Sequence, residues 1–250
     1  MQVKDAGRFS MVIPCFNEEA AVPHLVGQLQ KLIGLLKDAG APPPRVIFVN
    51  DGSADRTAQV LEAERKKLPD TEVVNLPQNR GLGAAVREGF ARAEDTFVVV
   101  YESDCNYPIE HILLMFELMD DSTDVIAASP YAPGGSCGNV VAHRLYLSRA
   151  ASFLYRIILW PHMRGIYTIS AVFRLYRRAA FMKLKLRNDR YLFGAEVTYT
   201  LLLSGARIKE IPSFMRPRQQ GASKMKLAQN ILDHLGLMGR ILLHRLGLVD

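Results

Sequence analysis

Apolar residues arrive in short blocks separated by polar turns, and each block carries the period of a strand or of a helix. Phe9-Ser-Met-Val-Ile-Pro14 predicts a first strand, with Cys15-Phe-Asn-Glu-Glu19 as the turn after it. From Ala20 to Lys37, Val22, Leu25, Val26, Leu29, Leu32, Ile33 and Leu36 fall on one helical stripe. Ala39-Gly-Ala-Pro-Pro-Pro44 breaks that helix, and Arg45-Val-Ile-Phe-Val49 predicts strand two. Asn50 to Thr57 is a polar turn, with a helix running on to about Lys67. Thr71 to Leu76 predicts strand three, Gln78 to Gly83 a loop, and Ala84 to Ala93 a helix. Phe97-Val-Val-Val-Tyr101 predicts a fourth strand, buried on both faces. Four strand–helix alternations argue an α/β fold with a parallel sheet and right-handed crossovers.

The second half is less regular. It predicts a short strand at Asp124 to Ala128, a flexible loop at Tyr131 to Gly138, and an amphipathic helix at His143 to Trp160. A strand at Ala171 to Tyr176, a helix at Gly194 to Ser204 and a strand at Arg207 to Pro212 follow. Arg216 to Lys224 is a basic, polar loop. Leu227 to Leu248 reads as a final apolar helix or helix pair, interrupted near Gly236 and Gly239.

Composition narrows the classes. Half of the 250 residues are apolar, so disorder is excluded as the default. A net charge of +6 suits phosphate-bearing partners: nucleotides or an anionic lipid surface. No Lys/Arg stripe interleaved with aromatics marks a nucleic-acid binder. Cys15, Cys105 and Cys137 form no CxxC pair, which argues against a zinc site or a disulfide framework. No signal-peptide pattern and no ~18-residue apolar span is present. The chain is therefore expected in the cytoplasm, or peripherally at the cytoplasmic membrane face.

The candidate chemistry gathers where strands end. After Tyr101 the chain switches to Glu102, Asp104 and Asn106, three oxygen-bearing side chains at spacing two. In open α/β sheets ligands sit beyond the carboxyl ends of strands. Carboxylates without His or Cys partners suit Mg2+ or Mn2+. Asp104 and Asn106 equally suit capping the helix that Pro108 can open, and this stretch alone leaves both readings open. Glu18 and Glu19 stand where a dinucleotide fold would place glycines, and would repel a phosphate unless a metal or a base edge lies between. Asp51 can accept hydrogen bonds from a base or ribose, or belong to a simple turn with Ser53 or Asp55 capping the next helix. Acids after strands one, two and four converge on one sheet edge.

Ile13-Pro-Cys-Phe-Asn-Glu18, Val49-Asn-Asp-Gly-Ser-Ala-Asp-Arg-Thr57, Asn79-Arg-Gly-Leu-Gly-Ala-Ala85 and Glu102-Ser-Asp-Cys-Asn-Tyr-Pro108 resemble the successive signatures of family 2 glycosyltransferases with the GT-A fold. Phe173-Arg-Leu-Tyr-Arg177, Phe193-Gly-Ala-Glu196, Gly205 to Pro212 and Arg218-Gln-Gln-Gly-Ala-Ser-Lys224 agree in order and spacing. The resemblance covers roughly residues 9 to 226 and leans toward transferases to dolichyl or polyprenyl phosphates. It implies a GT-A domain over 1–226, with a nucleotide-sugar half over 1–110, an acceptor half over 111–226, and a C-terminal amphipathic helix over 227–250. Pro14, Phe16, Glu18, Val49, Asp51 and Ser103 would hold a GDP- or UDP-linked sugar. Glu102, Asp104 and Asn106 would match the DxD-type metal motif. Arg144, Ser148, Arg218 and Lys224 would face the acceptor phosphate. Glu102 departs from the usual Asp, Asn106 from the frequent Gln, and Tyr167-Thr-Ile-Ser170 replaces an acidic residue usual there.

The resemblance thus implies an inverting, metal-dependent hexosyltransferase, with Asp104 and Arg218 as catalytic groups. A phosphate acceptor is already anionic and needs positioning by Arg and Lys. A hydroxyl or other small acceptor needs a base, for which Glu196 is the candidate. The apolar stripes of the His143 and Leu227 helices suit the core, a second subunit of a homodimer, or a membrane surface.

Overall fold

The computed structural model describes residues 1–138, 142–190, 192–216 and 227–245, without the side chains of 142–145, 147 and 227–230. In chain order the elements are β1 (Ser10–Cys15), α1 (Val22–Asp38), β2 (Arg45–Asn50), α2 (Thr57–Glu64), β3 (Thr71–Asn75), α3 (Leu82–Arg92) and β4 (Phe97–Val100). Then come α4 (His111–Leu118), β5 (Val125–Ser129), β6 (Ser136–Cys137), α5 (Ala142–Ile158), β7 (Arg174–Arg177), α6 (Arg178–Met182), α7 (Phe193–Leu203), β8 (Ile208–Pro212), β9 (Phe214–Met215) and α8 (Leu227–Arg245).

Seven strands form the main sheet in the order β3-β2-β1-β4-β7-β5-β8. β1 pairs in parallel with β2 and β4, β2 with β3, and β5 with β8. β7 alone is antiparallel, lying between β4 and β5. The alternation of the first hundred residues predicts the parallel part well. The antiparallel insertion escapes it, because a strand's apolar pattern does not encode direction. Since β7 opposes both neighbours, β4 and β5 run the same way, and six strands end on one edge.

The sheet is buried on both faces, as its β-branched strands require. One face packs under α1 and α4 through Met11, Ile13, Phe48, Val99, Leu25, Leu29 and Phe116. The other packs under α3, α6 and α7 through Val12, Ile47, Val98, Phe90, Phe181 and Val197. Helix α3 comes close enough to β1 that a Cβ on Gly89 would lie 2.2 Å from Val12 Cγ1. A third cluster joins α5, α7 and α8 through Tyr155, Leu159, Ala195, Leu202, Leu237 and Ile241.

Helix α8 runs unbroken through Gly236 and Gly239, against the expected interruption. A Cβ at either position would meet open space, so neither glycine answers to a close approach or a turn. The Tyr131–Gly138 loop is also more structured than expected: β6 pairs in parallel with β9, Ser136 opposite Phe214. No helix among the described residues is long and apolar enough to cross a membrane.

Candidate active site

The edge where six strands end carries the acids. Cys15 lies opposite Asn50 in the β1–β2 register, and the Asp51 N–H donates to Cys15 O at 2.9 Å. The Tyr101 N–H likewise reaches Val12 O at 3.1 Å, so the turns after β2 and β4 both hang on β1.

The first turn is built from polar backbone contacts. Asn17 takes a left-handed conformation (φ 52°), where Asn is tolerated better than most residues. Its side-chain oxygen accepts the Ala54 N–H at 2.8 Å, and its own N–H donates to Ser53 Oγ at 2.9 Å. Glu18 N–H donates to Thr57 Oγ1 at 2.8 Å. Glu19 turns outward and accepts the Arg56 N–H at 3.0 Å, so its carboxylate organises a turn. Glu18 points inward and is buried; the Cys15 thiol is pushed up chiefly by its own burial, with the Glu18 carboxylate and Cys105 adding to the effect. Cys15 and Cys105 are both buried thiols.

Asp51 is also buried. Its carboxylate accepts the Arg80 N–H at 2.8 Å, the Gly81 N–H at 2.7 Å and the Asn79 amide at 2.9 Å. Burial raises its pKa, and the N–H groups of Arg80 and Gly81 oppose that rise. Asp51 therefore pins the Asn79–Gly81 loop to the end of β2. Asp55 accepts the Thr57 N–H at 3.0 Å, the helix-start role considered for it. Pro14 and Phe16 are partly exposed on the same edge, and Ser103 is buried in the turn after β4. The Val49 side chain lies wholly inside the α3-side core.

The metal-type motif does not continue β4, which ends at Val100. The chain turns instead: Cys105 N–H donates to Glu102 O at 3.2 Å, and Cys105 has φ 52°. The turn brings Asp104 and Asn106 into contact, Nδ2 donating to Oδ2 at 2.7 Å. Asn106 Oδ1 is then buried with no protein partner. Tyr101 Oη donates to Tyr107 O at 2.6 Å and closes the turn from inside. Among the described residues no three His, Cys, Asp or Glu side chains are arranged to hold a metal by themselves. Mg2+ needs only one or two protein carboxylates, its shell being completed by water and other oxygen ligands. Asp104, Glu102 and the orphaned Asn106 oxygen are a fitting partial donor set.

The family model for glycosyl transferase family 2 matches residues 10–185. The chain is a family 2 glycosyltransferase. A polyprenol monophosphomannose synthase of Mycolicibacterium smegmatis is 28% identical over 252 residues, covering 96% of this chain and 91% of the relative. A dolichol-phosphate mannosyltransferase of Pyrococcus furiosus is 26% identical, covering 94% of this chain but only 64% of its own length. Glucosyl-3-phosphoglycerate synthase of Mycobacterium tuberculosis, crystallised with Mn2+, UDP and phosphoglyceric acid, superposes with a TM-score of 0.66 at 19% identity, over 99% of this chain and 81% of that one. That likeness establishes the GT-A fold.

The second half of this glycosyltransferase contributes β5, α5, β7, α7 and β8. Arg144 lies in the first turn of α5, its side chain outside the description; Arg218 and Lys224 lie outside the described residues altogether. Ser148 hydrogen-bonds the Tyr131 hydroxyl, and the Arg149 guanidinium lies 5.8 Å from the Tyr131 ring centroid. Glu196 is 2% exposed, and both its oxygens accept backbone N–H groups: Arg187 at 3.0 Å and Asn188 at 2.8 Å.

One polar cluster was missed. Glu210 on β8 accepts the Thr168 N–H at 2.8 Å, and Thr168 Oγ1 bonds Ser129 Oγ at 2.5 Å. Arg174, 2% exposed at the start of β7, donates Nη2 to Thr198 Oγ1 at 2.6 Å, while Nε and Nη1 have no partner. The available signal was a charged residue inside each of two predicted strands, where a buried charge demands a partner.

Proposed function

We propose that this enzyme moves a hexose from a nucleoside diphosphate to a polyprenyl phosphate, inverting the anomeric centre, with a divalent cation on the leaving diphosphate. The observation that carries the reading is the Asp104–Asn106 pair at the common strand edge, with one buried amide oxygen left over. A bound Mg2+ or Mn2+ would offset the negative charge that grows on the departing nucleotide.

The chain's own residues do the rest. Pro14, Phe16, Glu18 and Ser103 line the nucleoside end, and Asp51 acts through the Asn79–Gly81 loop it pins. Asp104, flanked by Glu102, is the carboxylate that serves the cation. Arg144, Ser148, Arg218 and Lys224 are assigned to the acceptor phosphate, where cationic donors orient an oxygen that is already a nucleophile. No proton has to be removed, and the double amide clamp on Glu196 agrees with that: both of its oxygens are engaged by backbone N–H groups.

Two further observations favour a lipid acceptor. Two of the relatives are named for polyprenol and dolichol phosphates. Helices α5 and α8 turn large apolar side chains outward, among them Phe153 at 61% and Leu232 at 62% exposure. Peripheral contact with the cytoplasmic membrane face follows as part of this reading.

The test supplies labelled GDP- and UDP-sugars with Mn2+ or Mg2+ and either polyprenyl phosphate or water-soluble acceptors. Label is expected in the organic phase only when polyprenyl phosphate and a divalent cation are both present. Label in a soluble product instead would restore the hydroxyl-acceptor alternative with Glu196 as base.

A further inference from the structure

Between the donor and acceptor halves, three backbone segments lie directly on one another with no side chain between them. The turn at Gly52 touches the loop at Gln78: a Cβ on Gly52 would sit 2.3 Å from Gln78 C. The next loop touches the segment before α7. A Cβ on Gly81 would sit 2.3 Å from Asp189 O, and one on Gly83 would sit 2.4 Å from Asn188 O. The Gly83 N–H donates to Asp189 O at 2.7 Å. Arg87, on α3, donates Nη1 to Asn188 O at 3.1 Å and forms an ion pair with Asp189.

A buried carboxylate closes each end of this stack. Asp51 holds the N–H groups of Arg80 and Gly81; Glu196 holds those of Arg187 and Asn188. Each carboxylate thus ties down two consecutive backbone N–H groups, and a hydrogen bond to a charged acceptor is stronger than a neutral one. Glycines at 81 and 83 are what allow backbone to meet backbone this closely.

We propose that Glu196 is a positioning residue of the donor site. By clamping Arg187–Asn188 it presses the 188–189 backbone onto Gly81–Gly83, and so fixes the Asn79–Gly81 loop against Asp51 at the nucleoside end. The proposal rests on the donor site assigned above. It makes a carboxylate in the acceptor half govern nucleotide affinity, without touching substrate.

A Gln at position 196 keeps the size but offers one acceptor and one donor group to two N–H groups, so one of them loses its partner. The clamp then loosens while the core stays filled. Glu196→Gln is expected to weaken nucleoside-diphosphate binding about tenfold by calorimetry, without acceptor present. Its donor KM should rise in step, with acceptor KM unchanged and both limbs of the pH–rate profile retained. Arg87→Met, which breaks the other hold on the same segment, should weaken nucleotide binding likewise, and the double variant should lose less than the product of the two. Unfolding midpoints measured on each variant separate a loosened loop from a lost fold, and Arg87→Met reads out the clamp should Glu196→Gln not fold.

Unchanged nucleotide affinity in both variants would overturn the proposal. So would a collapse of kcat with loss of the acidic limb in Glu196→Gln, which is the signature of a base. Failure of the wild-type protein to bind any nucleoside diphosphate would instead remove the donor site itself.

Discussion

Asn106 donates its amide to Asp104 across 2.7 Å and leaves its own Oδ1 buried and unpartnered. An unpartnered buried oxygen is costly, and in the proposed site a cation would give it a partner. Asp104→Asn keeps the size of the side chain and removes the charge. It is expected to lower kcat/KM about a hundredfold or more, by the usual worth of charge stabilisation at a leaving group. The direct check needs no turnover: Mn2+ should raise the thermal stabilisation given by GDP or UDP in the wild type, and fail to do so in Asp104→Asn.

Gly52 has φ 61°, and a Cβ there would lie 2.3 Å from Gln78 C and 2.4 Å from Asn79 N. Both obstacles are backbone, so they cannot swing away. Gly52→Ala is expected to cost on the order of 1–3 kcal/mol, the range for residues forced into such geometry. Urea unfolding measures that cost. The same variant should weaken nucleotide binding, because it displaces the loop that Asp51 holds.

Much of this was legible in the sequence where one residue's chemistry answers to its neighbours in the chain. The stripe from Val22 to Leu36 gave helix α1, and Phe97 to Val100 a strand buried on both faces. The acids after β1, β2 and β4 met on one edge because parallel neighbours must end together. What stayed hidden depends on partners far along the chain. The direction of β7 is set by the excursion before it. The role of Asp51 depends on amides about thirty residues later, and that of Glu196 on a segment packed against glycines a hundred residues earlier. The setting of Arg174 and Glu210 likewise depends on distant partners, since Thr198, Thr168 and Ser129 meet them only in the fold.

Glu210 offers a test of that enclosure through pH. Burial raises its pKa above the usual glutamate value, and the Thr168 N–H, the Ser129 hydroxyl, the Tyr167 N–H and Arg174 oppose the rise without cancelling it. A raised folded-state pKa means that the native protein holds this proton more tightly than the unfolded chain. The resulting stabilisation is full below the normal glutamate pKa and is lost as pH rises through the raised value. Glu210→Gln mimics the protonated form. The variant's melting temperature is expected to exceed the wild-type value near pH 7 and to converge with it near pH 4. Equal differences at the two pH values would mean that Glu210 is as solvated as a surface residue.

The outward faces of α5 and α8 can be tested on lipid directly. No Asp or Glu stands between Asp124 and Asp189, a run with ten Lys or Arg residues of which Arg174 is buried. Within it Tyr146, Phe153, Ile157 and Trp160 are exposed, beside Leu232, Leu235 and Leu242 of α8. An acid-free basic stretch with apolar side chains outward suits an anionic bilayer surface, which adds electrostatic attraction to apolar insertion. The protein is expected to sediment with phosphatidylglycerol vesicles at low ionic strength, and much less with phosphatidylcholine vesicles or in 0.5 M salt, where the Debye length is only about 4 Å. Removing one large apolar side chain from insertion forfeits about 1.5–3 kcal/mol, roughly tenfold or more in partitioning. Phe153→Ser should therefore weaken vesicle binding by at least that factor, while leaving nucleotide binding intact, since among the described residues Phe153 joins no hydrophobic cluster and is 61% exposed. Vesicle binding unchanged by Phe153→Ser and Trp160→Ser together would assign these faces to a second protein surface instead, and sedimentation equilibrium would then show the wild type as a dimer that the double variant dissociates.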